Sequence, residues 1–235
     1  MTIAYTVRES SRARRVRLTV SARAGVVVVV PRRYPHSRIP SLVDSRREWI
    51  ERATERVREQ RESFLAQRGV LPGRVELPGI GESWAVEYVP TGSVRIRVTP
   101  ADGTVRLSGA VTDTAEAHRA LRRFGRGRAE AALPGMLRAF SREQELPFSA
   151  VRIRSQRTRW GSCSAGGDIN LNWTLAFLPP ELVRHVMLHE LVHTVQLDHS
   201  PHFRALLTRR EPDARRMAAD LGRGWRHVPA WAVDG

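Results

Sequence analysis

The stretch that most restricts what this chain can become is residues 179–200, "PPELVRHVMLHELVHTVQLDHS". Pro179-Pro180 halts the preceding segment and opens a helix, with Glu181 in the first turn, where the helix dipole favours an acid. His189 and His193 are four residues apart. Their side chains therefore share one face, a turn apart, and two imidazoles so placed can grip one metal ion. Glu190, next to the first of them, is free to take a proton from a water that the metal activates. A helix cannot wrap its own third side chain around that ion, so the remaining ligand must come from chain that has turned back. His199, six residues beyond His193, leaves room for the turn; Glu211 is the alternative third ligand. The set H-E-x-x-H-x5-H offers three neutral nitrogens and an open fourth position, as a catalytic zinc site requires, whereas a structural site is closed by a fourth protein ligand. The bland alternative is a polar patch on an ordinary helix. Against it stands the concentration of histidine, since five of the eight fall between 185 and 202.

The flanking residues divide less cleanly. His185, one turn before His189, either orients Glu190 or substrate, or is a buried hydrogen-bonded histidine. His202 either stabilises an oxyanion or is an exposed first-turn histidine of the next helix, with Ser200 as its cap and Pro201 at its first position. Cys163 reads as a small buried residue, because a soft fourth ligand would close the site. Arg159 and Trp160 either line a substrate groove or, in the case of the Trp, pack the core. Upstream of the helix, "VRIRSQRTRWGSCSAGGDINLNW" reads as a strand, a turn at Gly166-Gly167 and a second strand. In the second strand Ile169, Leu171 and Trp173 oppose Asp168, Asn170 and Asn172.

The rest of the chain is patterned as strands, then helices. "RVRLTV" alternates as a half-buried strand, and "VVVVV" at 26–30 looks like its covered hairpin partner. From 41 to 66, Leu42, Trp49, Ile50, Ala53, Val57, Phe64 and Leu65 recur at helical spacing, a core-facing stripe. Residues 69–81 form a Gly/Pro-rich connection. "WAVEYV", "SVRIRV" and "TVRL" follow as short strands with turns at Gly92 and Asp102-Gly103. Arg95, Arg97 and Arg106 should share one sheet face. Asp113 opens a helix to about 132, which Pro134-Gly135 interrupts before helical spacing resumes.

All 39 basic residues are arginines. Mechanisms that need a lysine amine, such as a Walker A phosphate loop, a pyridoxal Schiff base or a Ser–Lys dyad, are therefore excluded. A net charge of +15 favours an anionic partner, first of all nucleic acid bound without sequence preference. The single cysteine suits a reducing interior. The start, "MTIAYTVRESSRARR", lacks the apolar segment of a secretory signal. The longest aliphatic run falls far short of the ~20 residues of a membrane span. These features predict a soluble, cytoplasmic protein with no membrane association.

Four motifs, "TRWGSCS", "GDINLNW", "LPPELVRHVMLHELVH" and "DHSPHF", occur in this order. Together they resemble the YgjP-like metallopeptidase family, relatives of the SprT and WLM zinc peptidases. The resemblance covers about 113–222, and the N-terminal hairpin and "REWI" match more loosely. It implies a zincin-like α+β fold, Zn²⁺ on His189, His193 and His199, and Glu190 as catalytic base. Family members often carry Tyr at the place of His185 and Trp where this chain has Arg204, so substrate preference does not carry over.

The expected organisation is an antiparallel β-rich region with one long helix over 1–112, either separate from or integral to the domain that follows, a zincin-like catalytic domain over 113–222 and a tail over 223–235. The expected activity is zinc-dependent hydrolysis of a protein or peptide, held along the strand at 168–173 and acting near nucleic acid. Two other readings compete. H-x3-H-x5-H also resembles the YbeY endoribonucleases, in which Gly stands where this chain has Glu190. A non-enzymatic nucleic-acid-binding protein with a vestigial metal site is the other; the intact Glu190 argues against it, as does the lack of a nucleic-acid-binding motif in the first 112 residues.

Overall fold

The valine run and the turns decide most of the architecture. The computed structural model describes residues 3–11, 13–21, 25–55, 58 and 69–233. Contacts divide the chain into two compact units, 1–68 and 69–235.

In the first unit, β1 (Tyr5–Ser10), β2 (Arg17–Ser21) and β3 (Gly25–Pro31) form a sheet in the order β1-β3-β2. β2 and β3 make the antiparallel pair that the alternation predicts, and β1 adds itself in parallel on the other side of β3. The sheet is thus mixed, not antiparallel. β3 is the most apolar strand, so it takes the centre, where both faces are covered: Val28, Val29 and Val30 are buried. Short helix α1 (Ile39–Ser45) and the helical residues 47–55 supply Ile39, Val43 and Ile50 to the same cluster. Trp49 departs from the expected core stripe and is exposed. Val57, Phe64 and Leu65 lie outside the described residues.

The second unit begins with β4 (Arg74–Leu77), β5 (Glu82–Pro90), β6 (Arg97–Ala101) and β7 (Thr104–Gly109), ordered β4-β5-β7-β6. This sheet too is mixed, since β5 and β7 run parallel. Asp102 and Gly103 both have positive φ (46° and 75°) and close a tight hairpin that pairs Ala101 with Thr104. That turn sets the register, so β6 is 97–101 and not the 93–98 suggested by alternation, and Val94 is left 85% exposed. Arg97, Thr99, Arg106 and Ser108 share the outer face. Arg106 is held by Glu87 (2.9 Å) on β5, and Arg95 precedes the strand, so no continuous arginine stripe forms.

Helix α2 (Thr114–Gln144) is capped by the Asp113 side chain, which accepts from the amides of Ala115 and Glu116. It runs through Pro134 without the expected interruption. Ala129, Leu133, Leu137 and Phe140 bury one continuous face on either side of the proline, and that packing outweighs the missing backbone donor. Next come β8 (Ala150–Arg154), β9 (Gly161–Cys163) and β10 (Asp168–Asn172), ordered β8-β10-β9. Helices α3 (Pro180–Val192), α4 (Pro201–Arg210) and α5 (Ala214–Leu221) complete the regular elements.

Val75, Leu77, Val105 and Leu107 from the first of these sheets join the core made by α2, β10 and α3. For that reason the expected boundary at 112 falls inside this unit. Val228 and Trp231 join the same core, so the expected tail is packed as part of the unit as far as it is described. The fold class is α+β. No described helix is long and apolar enough to cross a membrane.

Candidate metal centre

α3 is buried on nearly every side, through Leu182, Val183, Val186, Met187, Leu188, Leu191 and Val192. Arg184 fixes it to α2 through Glu143 (2.9 Å) and the ring of Phe140 (4.3 Å). A helix so immobilised holds its few polar side chains in place: His189 and Glu190 in the last turn, His193 at the C-terminal cap. The chain then turns back. Asp198 shapes the turn by accepting from Gln196 Nε2 (2.7 Å) and the Ser200 amide (3.2 Å), and Arg204 donates to the His199 carbonyl (2.6 Å). Ser200 caps α4, with Pro201 at the first helical position.

This turn brings His199 to the other two histidines. His189 Nε2 lies 3.2 Å from His193 Nε2 and 3.1 Å from His199 Nε2. The three nitrogens lie within 4.8 Å of one another and could hold a metal ion. The Gln196 carbonyl accepts from His193 Nδ1 (3.0 Å), which leaves the Nε2 lone pair facing the cluster. Phe203 backs all three imidazoles at centroid distances of 5.0, 4.5 and 4.9 Å. Burial above all, and then the neighbouring histidines, pushes His189 down to about 3; burial also holds His193 below the usual histidine range. Both therefore present neutral nitrogen at ordinary pH, the form that binds metal.

Glu190 is 5% exposed, and its Oε2 is buried without a hydrogen-bond partner. Gly161 of β9 lies against it: a Cβ there would stand 2.6 Å from Glu190 Oε1. Only glycine lets the strand come this close to the carboxylate. Burial pushes the Glu190 carboxyl up to about 7, opposed by the positive charge of Arg159. A cleft of about 210 Å³ opens beside it, lined by Arg159, Trp160, Gly161, Val186, His189, Glu190 and Leu221.

A family model described as YgjP-like, metallopeptidase domain, matches residues 14–223. The chain belongs to this family. No curated protein and no solved structure matches it. The family is one of metallopeptidases, hydrolases that act on proteins or peptides with a metal ion.

The other residues singled out in this YgjP-like chain fall on both sides of the site. Glu211 is not with the three histidines; its carboxylate pairs with Nδ1 of the buried His185 and ties the end of α4 to α3. His202 is exposed in the first turn of α4. Cys163 lies two residues beyond Gly161 on β9, its thiol pushed up to about 11 by burial first and then by Glu190 and Asp168, so it stays protonated. Asn172, expected on a polar strand face, is fully buried. Its Nδ2 donates to the carbonyls of Gln156 (2.7 Å) and Arg159 (2.9 Å), which fixes the loop leading into β9.

β10 lies between β8 and β9, so the strand at 168–173 has no free edge for a peptide. β9 has one. Asn172 donates to the Trp160 carbonyl and Ser164 donates to the Asp168 carbonyl, which turns the backbone groups of Gly161 and Cys163 outward.

The raised Glu190 pKa has a measurable consequence in the metal-free protein. A carboxyl raised in the folded state contributes stability below its ordinary value of 4.5 and loses it as pH rises through about 7. The loss is on the order of 3 kcal/mol. His189 and His193, being lowered, act in the opposite sense and lose stability as pH falls below 6.5. Comparison with Glu190→Gln isolates the carboxyl: urea midpoints in chelator should show the variant gaining on the parent between pH 5 and pH 8. A difference that stays constant with pH would rule out a desolvated carboxyl.

Proposed function

We propose that the chain is a zinc-dependent peptidase of zincin-like fold, with His189, His193 and His199 holding the ion and Glu190 as general base. The observation that carries this is the meeting of three Nε2 atoms, 3.1 and 3.2 Å apart, beside a buried carboxylate with one unpartnered oxygen. Zinc–nitrogen bonds of ~2.0–2.1 Å in a tetrahedral site place nitrogens at a similar separation. Imidazole nitrogen also suits zinc as a donor. When bound, zinc would supply Lewis acidity, making a water more acidic and a peptide carbonyl more electrophilic.

The chain's own residues do the rest. Glu190 takes the proton of the attacking water and returns it to the leaving amine nitrogen. The Gln196 carbonyl keeps His193 in the tautomer that leaves Nε2 free. The outward backbone groups of Gly161 and Cys163 pair with an extended peptide, laid along the free edge of the strand whose Gly161 packs against Glu190.

The zinc-loaded protein is expected to cleave a casein-type unfolded protein and not RNA, and to stop when chelator is added. A fully zinc-loaded chain that leaves such substrates intact would overturn the reading. Gly161→Ala should lower turnover about 10²-fold, because the added methyl displaces the Glu190 carboxylate. Its zinc content should stay full. Unchanged turnover in that variant would show that the close approach of β9 is not used.

Nucleic acid as a partner rests on the net charge of +15, as does action near it; a cytoplasmic location rests on the lone cysteine. Binding to DNA or RNA should fall steeply with salt and show little sequence preference. No binding at low salt by the folded protein would make the charge a solvated surface only.

A further inference from the structure

The family match ends at residue 223, yet the chain continues into the site's surroundings. Residues Gly224–His227 form a 3₁₀ turn whose Trp225 stacks on Trp160, with ring centroids 4.3 Å apart and planes 24° from parallel. The segment is anchored further on. Trp231 is buried edge-on to Phe177 (5.6 Å), and its carbonyl accepts from Arg122 of α2 (2.7 Å). Trp160 immediately precedes β9 and, with Val186 of α3 and Leu221 at the end of α5, forms the apolar wall of the cleft that reaches His189 and Glu190. The opposite flank of Trp160 is thus closed by chain that the family pattern does not include.

We propose that this cleft is a subsite for one large apolar side chain of the substrate, at a residue flanking the scissile bond, and that Trp225 sets its selectivity by holding Trp160. The proposal rests on the peptidase reading for the identity of the ligand. Its grounds are the cleft's own chemistry. A cavity of about 210 Å³ has room for a side chain and not for a folded segment. Trp160, Val186 and Leu221 give it an apolar lining. An apolar side chain entering here removes its own surface and that of Trp160 and Leu221 from water. A carboxylate-bearing side chain would be desolvated beside Glu190, whose charge the exposed Arg159 guanidinium already opposes. Trp225 does not line the cleft, and acts as a positioning residue through the stack.

The test uses the zinc-loaded full chain and a set of blocked peptides varied at the two residues flanking the cleaved bond. At one of the two, Leu or Phe should be preferred over Asp by about tenfold or more in kcat/KM. Trp225→Ala should bring the ratio of Phe to Ala close to unity with zinc content unchanged. Leu221→Asp, at a half-buried helix end, should turn the preference towards Arg, with the melting temperature read alongside to show that the chain is folded. No preference at either position, or a preference that Leu221→Asp leaves unaltered, overturns the proposal. Binding of dansyl-phenylalanine amide against dansyl-aspartate amide separates this from failure of the peptidase reading. A chain that cleaves nothing but binds the phenylalanine probe selectively, and loses that selectivity in Leu221→Asp, keeps the subsite. Equal binding of the two probes removes it.

Discussion

Glu190→Gln is expected to keep its zinc and its fold while losing peptide hydrolysis by about 10³-fold or more. Gln has nearly the same shape, and the only buried side-chain oxygen of Glu190 without a partner, Oε2, is replaced without breaking a hydrogen bond. What disappears is the ability to accept and return a proton. KM should change little, because binding of an extended peptide depends on the edge of β9 and the adjoining cleft. Turnover at a rate comparable to the parent would remove Glu190 from its role as base and leave the cluster without a proton acceptor beside it.

His199→Ala is expected to lower zinc affinity by about 10²-fold or more, so that the variant emerges from dialysis largely without metal. Zinc at ~1,000 times its dissociation constant stabilises a folded chain by about 4 kcal/mol, and that increment to thermal stability should vanish in the variant. Glu211→Ala should retain metal, since Glu211 is engaged with His185. The measurement is metal content together with the melting shift on zinc addition. Full metal in His199→Ala with loss in Glu211→Ala would exchange the two assignments.

The parts legible in the sequence are those fixed by local chemistry. Pro179-Pro180 starts α3, Asp113 and Ser200 cap their helices, and Asp102-Gly103 closes a hairpin, each because one side chain or one turn conformation suffices. The spacing of His189, His193 and His199 foretold their meeting for the same reason. What was not legible depends on contacts between distant segments. β1 carries little apolar alternation and exists through its pairing with β3. β4 is four residues long between Gly73 and Pro78 and looks like a loop until Val75 and Leu77 find the core. Pro134 breaks an isolated helix, not one whose flanks are both buried. Gly161 in "RWGSC" gave no sign that Glu190, far along the chain, would lie against it. Phe203 and Trp225 gave only the general sign of an aromatic residue near a motif. Mixed sheets replaced antiparallel ones because the most deeply buried strands, β3, β7 and β10, lie inside their sheets, an arrangement set by burial and not by chain order.

The three histidines are not equivalent in their surroundings: His193 is buried, His189 half-buried, and His199 exposed on the turn after α3. Two donors stand ready on a rigid helix, while the third rides on a short surface turn held by Asp198, Ser200 and Arg204. Metal exchange at such a site would therefore be decided at one residue. For an ion held by these three histidines, loading and release would turn on whether the turn presents His199 to the helical pair. The lifetime of such a bound ion would then depend on how firmly Asp198, Ser200 and Arg204 hold residues 196–200, and not on the helical pair alone.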